Sequence, residues 1–161
     1  MRALLATLAL LLVACGPVAP HPPLPSSVSS LPSAACPAFP TQAIYHPRRL
    51  QILNPCVVVT GTVLEVIVEK DGDLHIWMAV DAPYTNLLNA KNMFHGQPAL
   101  VAEIICFGVV TQADAMQACA GWNNTLPAPG VGNRLGVKGP HVFDHEHGWQ
   151  EVHPVSQTWT P

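Results

Sequence analysis

Apolar side chains recur along much of the chain with the spacing of β-strands. Residues 56–69 form the longest such stretch and consist mainly of β-branched side chains, with Gly61 in the middle as a candidate bulge or sharp bend. A turn at residues 70–73 leads into a second strand at residues 74–81, and a third strand is expected at residues 99–106. This pattern predicts a mainly β domain.

One short helix is expected before the strand pattern continues. Residues 112–119 are good helix formers. A fourth strand is expected at residues 131–144, and a fifth at residues 149–159 after a turn at residues 147–148. Three strands, a short helix and two more strands, with a glycine kink in the first strand, give the order of the OB-fold, a five-stranded Greek-key barrel. The predicted architecture is therefore an OB-like barrel with one short helix between strands 3 and 4.

Two motifs resemble those of a known group of proteins. Residues 71–76 read DGDLHI, and residues 147–155 read HGWQEVHPV. Both are similar to segments of an uncharacterised family of secreted bacterial OB-like proteins, and the resemblance extends over residues 45–156. It implies the fold and an extracytoplasmic location, and it implies no particular activity.

The start of the chain predicts export and lipid anchoring. One positive charge precedes an apolar run at residues 3–14, which is too short for a stable membrane span. The run leads into LVAC at residues 12–15, which resembles the lipobox of bacterial lipoproteins. Residues 1–14 are therefore expected to be a signal peptide, with Cys15 as the lipidated residue and membrane anchor. Gly16 after this cysteine favours, in a Gram-negative cell envelope, the periplasmic face of the outer membrane.

Residues 15–40 are expected to be the lipidated cysteine and a Pro-rich tether. Residues 16–40 hold eight prolines and no charged side chain, so they cannot bury enough apolar surface to fold alone. Residues 41–161 suit one domain with one core. Loss of Arg2 with the signal leaves six basic and ten acidic residues, a formal charge of −4 with histidines neutral. This charge argues against general nucleic-acid binding.

Four cysteines remain besides Cys15, an even number that predicts disulfides in an oxidising compartment. Three pairings are possible. The pairing Cys36–Cys56 and Cys106–Cys119 is favoured, because each bond closes a short local loop. A metal site built from all four thiolates is the weaker alternative, since the chain lacks a C-x-x-C pair.

The histidine-rich segment at residues 144–154 is the main candidate for chemistry. In the predicted fifth strand, Glu151 and His153 share one face because side chains alternate between the two faces of a strand. In the predicted second strand, the imidazole of His75 also lies on one face. A single site requires these two faces to meet. The candidate ligand-binding residues are His75 of the second strand and His147, Trp149, Glu151 and His153 of the segment.

His75, His147 and His153 are also candidate metal ligands. Imidazoles together with a carboxylate suit zinc or another divalent transition metal. Asp73 or Asp144 could then accept a hydrogen bond that orients one of the rings. The spacing is not a known zinc motif, and hydrogen-bonded structural histidines are the alternative.

Trp77 and Trp149 also allow two interpretations. They could form a platform on which a base or a sugar stacks, as in other OB-folds. They could instead close one end of the barrel, each with its indole N–H bonded to a neighbour.

Two functions are compatible with these features. The first is a lipid-anchored binding or interaction module of the cell envelope, whose ligand or partner protein the sequence does not specify. The alternative is a metal-dependent hydrolase, nuclease-like or other, with Glu151 or His153 as general base on a water and Arg48 or Arg49 as electrophilic partner. Both arginines could equally be solvated charges. The sequence has no G-x-S-x-G motif and no Gly-rich phosphate loop.

Overall fold

The computed structural model describes residues 35–38, 40–122 and 124–161. The expected signal peptide, the lipidated Cys15 and most of the expected tether lie outside the described residues. Within the described ranges, no helix is long and apolar enough to cross a membrane.

The domain is mainly β, as predicted, and most of its strands belong to one large mixed sheet. The strands are β1 Leu50–Val68, β2 Leu74–Val80, β3 Met93–Phe94, β4 Gln97–Pro98, β5 Leu100–Ile104, β6 Arg134–Asp144, β7 Gln150–Val152 and β8 Gln157–Trp159. Among the residues that the structure describes, the helical elements are 3-10 turns at Thr41–Ala43, Pro47–Arg49 and Ala82–Leu87, and one α-helix, α1, at Met116–Cys119.

Six strands pair in the order β1-β2-β5-β7-β6-β8, and β1 also pairs with β6. The β5–β7 pair is parallel and the other pairs are antiparallel. β1 has 19 residues. It pairs with β6 along its first part and with β2 along its last part, and Gly61 belongs to both pairings. A side chain at Gly61 would collide with the backbone oxygen of Ala79, so glycine allows the close approach of β1 and β2.

Several element boundaries differ from the predicted ones. β1 begins at Leu50, and its register shifts lie at residues 52–57 and 63–65 rather than at Gly61. α1 lies between β5 and β6, as predicted, but has only four residues. The single fifth strand predicted at residues 149–159 is wrong. The segment forms β7 and β8, and Pro154, which has no amide hydrogen to donate to a sheet, lies between them.

The two faces of β2 and β5 have opposite surroundings. One face contributes Leu74, Ile76 and Met78 of β2 to the apolar core. On the other face, His75 lies directly across from Glu103 of β5. The buried residues of this core cluster are Val59, Val63, Leu74, Ile76, Met78, Leu100, Ala102, Ile104, Leu135, Val137, Val152 and Val155.

Both predicted disulfides are confirmed. Cys36–Cys56 attaches the last residues of the expected tether to β1. Cys106–Cys119 joins the segment that follows β5 to α1. Each bond therefore fixes a stretch of chain that has few strand hydrogen bonds of its own.

Candidate functional site

A cluster of charged side chains is buried against the polar face of β2 and β5, with Glu103 at its centre. Glu103 is completely buried. The Nε2 atom of His75 lies 2.6 Å from its Oε1 atom, and Nδ1 of His153 lies 2.6 Å from its Oε2 atom. These contacts are ion pairs rather than well-aligned hydrogen bonds. One carboxylate therefore joins two imidazoles that are distant in the sequence.

Glu151 extends this cluster towards the surface. Its Oε1 atom lies 3.1 Å from Nδ1 of His153, and its Oε2 atom accepts a hydrogen bond of 2.9 Å from the indole N–H of Trp149. The three side chains share one face, as the two-residue period of a strand predicts.

Arg49 and Asp144 form an ion pair at the side of the cluster. The guanidinium lies 3.9 Å from Glu103 and 3.8 Å from Glu151, and its residue is only 8% exposed. The Asp144 oxygen in this ion pair, Oδ2, also lies 2.7 Å from Nδ1 of His147, and its Oδ1 atom accepts a hydrogen bond from the amide of that residue, so both contacts fix His147. The interpretation of Arg49 as a solvated charge is therefore wrong.

Asp73 is a further buried carboxylate and has no ion pair within 4.0 Å among the described residues. It is 3% exposed, and its Oδ1 atom accepts a hydrogen bond of 2.7 Å from the amide of Cys106. One donor atom each of Asp73, Glu103 and His153 lies within 4.8 Å of the other two, a group that could hold a metal ion. Asp73 forms a second such group with Cys106 and Cys119, but those sulfurs are joined in a disulfide.

Burial and ion pairing shift the pKa values of these groups in opposite directions. Burial, the largest single effect, lowers the pKa of both imidazoles, but Glu103 and Glu151, joined by Glu69 in the case of His75, outweigh it and raise the pKa of His75 to about 9 and that of His153 to about 10. Burial raises the pKa of Glu103, but the two imidazoles hold it well below its usual range. Burial also raises the pKa of Asp73 to about 7. Both imidazoles are therefore positively charged at neutral pH.

An open cleft of about 630 Å³ lies over the cluster. His75 belongs to both the cluster and the cleft, because its Nε2 atom contacts Glu103 while its side chain is 12% exposed. Its Nδ1 atom lies 3.9 Å from the carboxylate of Glu69, which is too far for a hydrogen bond. A charged N–H donor is therefore presented at the floor of the cleft. The side chains that line it include Tyr45, Glu69, His75, Trp77, His147 and Trp149.

Aromatic rings form one wall of this cleft. Trp149 stacks on His147 with ring centroids 4.3 Å apart and an interplanar angle of 4°. Trp77 meets Trp149 edge-on at 5.2 Å and stacks on Phe94 at 5.3 Å. Trp149 is thus held between two rings, with its indole N–H bonded to Glu151. The ring that faces outwards is His147, whose side chain is 41% exposed.

The predicted ligand-binding residues are divided between the cleft and the cluster. His75, His147 and Trp149 line the cleft. Glu151 and His153 are completely buried beneath it, where a ligand in the cleft would not contact them.

The predicted metal ligands His75, His147 and His153 do not form one of the donor groups found among the described residues. Asp144 holds His147 at the rim, while Glu103 lies between the other two imidazoles. These three histidines are bound to carboxylates instead of facing a common point.

Sequence reasoning missed Glu103, the residue that connects the site. It is the only charged residue in the otherwise apolar residues 99–106. A lone carboxylate in a strand expected to be buried must find a partner, and this signal could have identified it.

Comparison of the chain with protein-family models, with curated proteins and with solved structures gives no match. The function is therefore inferred from the geometry of the cluster and the cleft.

Proposed function

We propose that this chain is a lipid-anchored binding module of the cell envelope, and that the cleft above the charged cluster is its ligand site. The anchor rests on the sequence of residues 1–14 and on Cys15 as the lipidated residue. In a Gram-negative cell it would lie at the periplasmic face of the outer membrane. The membrane would then be one partner and an envelope ligand the other.

The fold we propose for this module is an OB-like Greek-key barrel with five principal strands. In its support, the pairings run from β1 through β2, β5, β7 and β6 and return to β1. The parallel pairing of β5 with β7 and the position of α1 between β5 and β6 agree with this topology. β8 would be an addition beside β6.

The location of the cleft is the observation that carries the binding proposal. OB-folds bind oligosaccharides and oligonucleotides on their second and third strands, between the loop joining strands 1 and 2 and the loop joining strands 4 and 5. The corresponding elements here are the β1–β2 loop, β2 and the β6–β7 turn. These elements line the cleft through Glu69, Lys70, Asp71, His75, Trp77, Glu146, His147 and Trp149.

The chemistry of the cleft favours an uncharged, oxygen-rich ligand such as an oligosaccharide. His75 offers a charged N–H donor for a hydroxyl or carbonyl oxygen, and His147 offers an exposed ring. The other charged side chains that line the cleft include both signs, so they do not select a polyanion. The formal charge of −4 expected after signal removal also disfavours nucleic acid as the ligand.

The test is a titration of the purified chain with N-acetylglucosamine oligosaccharides, followed by calorimetry and by the indole NMR signal of Trp149. We expect His75→Gln to weaken binding by about 10- to 100-fold, because a hydrogen bond from a charged donor contributes about 1.5–3 kcal/mol. His95→Ala, at an exposed histidine outside the cleft lining, is the control and should bind as the wild type. Equal affinities for wild type and His75→Gln would contradict the site, and no binding of the oligosaccharides would contradict the ligand class.

The hydrolase alternative has less support. Glu151 and His153, its candidate bases, are completely buried and cannot contact a water that attacks a substrate in the cleft. Arg49 is occupied by Asp144. A zinc ion held by His75, His147 and His153 gains no support either, because their donor atoms do not lie together.

A further inference from the structure

We propose that the ligand cleft continues into a second cavity beside it, and that the ligand is an uncharged oligosaccharide long enough to occupy both. This proposal rests on the proposed function, in which the cleft is the ligand site. The second cavity contributes a stacking surface at His46 and a charged hydrogen-bond donor at Arg48.

The second cavity adjoins the cleft along a common border. It has a volume of about 740 Å³, compared with about 630 Å³ for the cleft. The side chains that line both are Tyr45, His46, Arg49 and Glu146. Each volume lies in the range of about 300–1,000 Å³ that is usual for small-ligand sites. Each cavity is therefore large enough to hold its own part of a longer ligand.

The exposed side chains at this border do not close it. His46 and Glu146 are 55% and 58% exposed, and Nδ1 of the imidazole lies 3.6 Å from Oε1 of the carboxylate. This distance is too long for a hydrogen bond, and exposed pairs of this kind contribute little to stability. A saccharide chain can therefore displace this contact as it crosses from the cleft into the second cavity.

Tyr45 and His46 form an aromatic stack at the border. Their ring centroids are 3.9 Å apart, and the angle between the ring planes is 21°. The hydroxyl of Tyr45 donates a hydrogen bond of 2.6 Å to Asp114 and accepts one of 2.8 Å from the side-chain amide of Gln112. The tyrosine ring is thus fixed, and it supports an imidazole that is exposed to solvent.

The wall of the cleft repeats this arrangement. There the exposed imidazole of His147 stacks on Trp149, whose indole N–H is bonded to Glu151. Both imidazoles line the cleft, and that of His46 also lines the second cavity. Each is a flat ring, supported by a larger ring that a carboxylate holds in place, on which the apolar face of a sugar can pack. Two such surfaces suit two separate units of one saccharide chain.

Arg48 supplies a polar group in the second cavity. It is exposed and lines this cavity but not the cleft. Its side chain has no hydrogen bond or ion pair within the part of the chain that the structure describes. The guanidinium is therefore available to donate to a hydroxyl or acetamido oxygen. The carboxylates of Asp114 and Glu146 line the same cavity and disfavour an anionic ligand there.

The experiment compares the disaccharide and the hexasaccharide of N-acetylglucosamine in NMR titrations of the purified full chain. We expect the wild type to bind the hexasaccharide at least about tenfold more tightly, because only the longer chain reaches Arg48. Arg48→Gln should remove most of this gain and leave disaccharide binding unchanged. His46→Asn should weaken hexasaccharide binding more than disaccharide binding. Asparagine removes the ring but tolerates the left-handed backbone of this position, where φ is 48°.

Arg134→Gln and His95→Asn are the matched controls. Arg134→Gln removes the same charge from an exposed arginine that lines neither cavity. His95 also lines neither cavity, and its φ of 47° is close to that of His46. Both control variants should bind the two oligosaccharides as the wild type does.

Equal affinities of the wild type for the two oligosaccharides would overturn the second cavity as part of the site. An Arg48→Gln variant that keeps the full gain would also overturn it. The hexasaccharide can bind in several registers, but that statistical gain does not depend on Arg48 and would persist in the variant. In both cases the disaccharide still binds, so the proposal for the cleft itself would stand. Failure of both oligosaccharides to bind would overturn both proposals.

Discussion

The strands β2 and β5 bury both of their faces, but the two faces have opposite chemistry. On one face Leu74 and Ile76 pack in the apolar core and are at most 1% exposed. On the other face His75 is paired with the completely buried Glu103. An apolar side chain is stabilised by any close contact, whereas a buried charge is stabilised only by particular partners in particular places. The apolar face should therefore tolerate conservative changes that the charged face does not.

This difference also indicates which face serves function. Replacing a buried ion network by well-packed apolar residues is often neutral or stabilising, so stability alone does not require Glu103 and its partners. The network does hold a charged His75 at the floor of the cleft. Strongly shifted pKa values in a cleft are typical of functional sites.

The largest expected effect comes from removing the centre of the charged face. Glu103→Ala should lower the free energy of unfolding by about 3–5 kcal/mol, because it removes the buried carboxylate that contacts both imidazoles. Ile76→Val, on the apolar face of the neighbouring strand, should cost only about 0.5–1.5 kcal/mol. Urea unfolding followed by circular dichroism measures both. A Glu103→Ala variant as stable as Ile76→Val would remove the distinction between the faces.

The next effect is a loss of stability at alkaline pH. The folded pKa values of His75 and His153, about 9 and about 10, lie above the value of about 6.5 expected in the unfolded chain. Their contribution is therefore complete below pH 6.5 and is lost as the pH rises through 9 and 10. Urea unfolding with EDTA between pH 7 and pH 10 should show this decline, and His75→Gln should make it shallower. The groups that face the two imidazoles are Glu69, Asp73, Glu103 and Glu151.

A stability that is constant from pH 7 to pH 10 would mean that the imidazoles are not charged in the folded protein. An equal decline in wild type and His75→Gln would assign the effect to other groups.

A smaller effect is expected at the edge of the cluster. Trp149→Phe keeps an aromatic ring but removes the N–H that donates to Glu151, and should cost about 1.5–3 kcal/mol, the range for a hydrogen bond to a charged group. Trp122→Phe is the matched control, because Trp122 is 41% exposed. If thermal unfolding shows the same change for both variants, the bond to Glu151 does not contribute.

The smallest effect is expected at the surface. Arg134 donates two hydrogen bonds to Asp81, at 2.7 and 2.5 Å, but the two side chains are 43% and 34% exposed. Solvent screens such pairs, so Arg134→Ala should change the free energy of unfolding by little more than experimental scatter. A loss close to that of Glu103→Ala would show that burial is not what distinguishes the two ion pairs.

The strand-rich fold and both disulfides could be predicted because their signals are local. β-branched runs and short loops between cysteines lie within one stretch of sequence. The boundary between β7 and β8 was missed, although Pro154 is visible in the sequence, because the apolar alternation continues past it.

The connection between His75 and His153 could not be derived from local signals. It depends on Glu103, which lies on a third strand and meets both imidazoles only after β2 and β7 pair with β5 on either side. Likewise, the burial of Arg49 results from the position of Asp144 at the end of β6. Periodicity places a side chain on a face, but the pairing of strands decides which faces meet.

The central claim is that buried Glu103 keeps His75 charged at the floor of the cleft. The imidazole ¹⁵N resonances of His75 at pH 8, in EDTA-treated wild type and in Glu103→Gln, test it most directly. A protonated ring in the wild type and a neutral ring in Glu103→Gln is the predicted result. A wild-type His75 that titrates near the ordinary value of about 6.5 would contradict the claim.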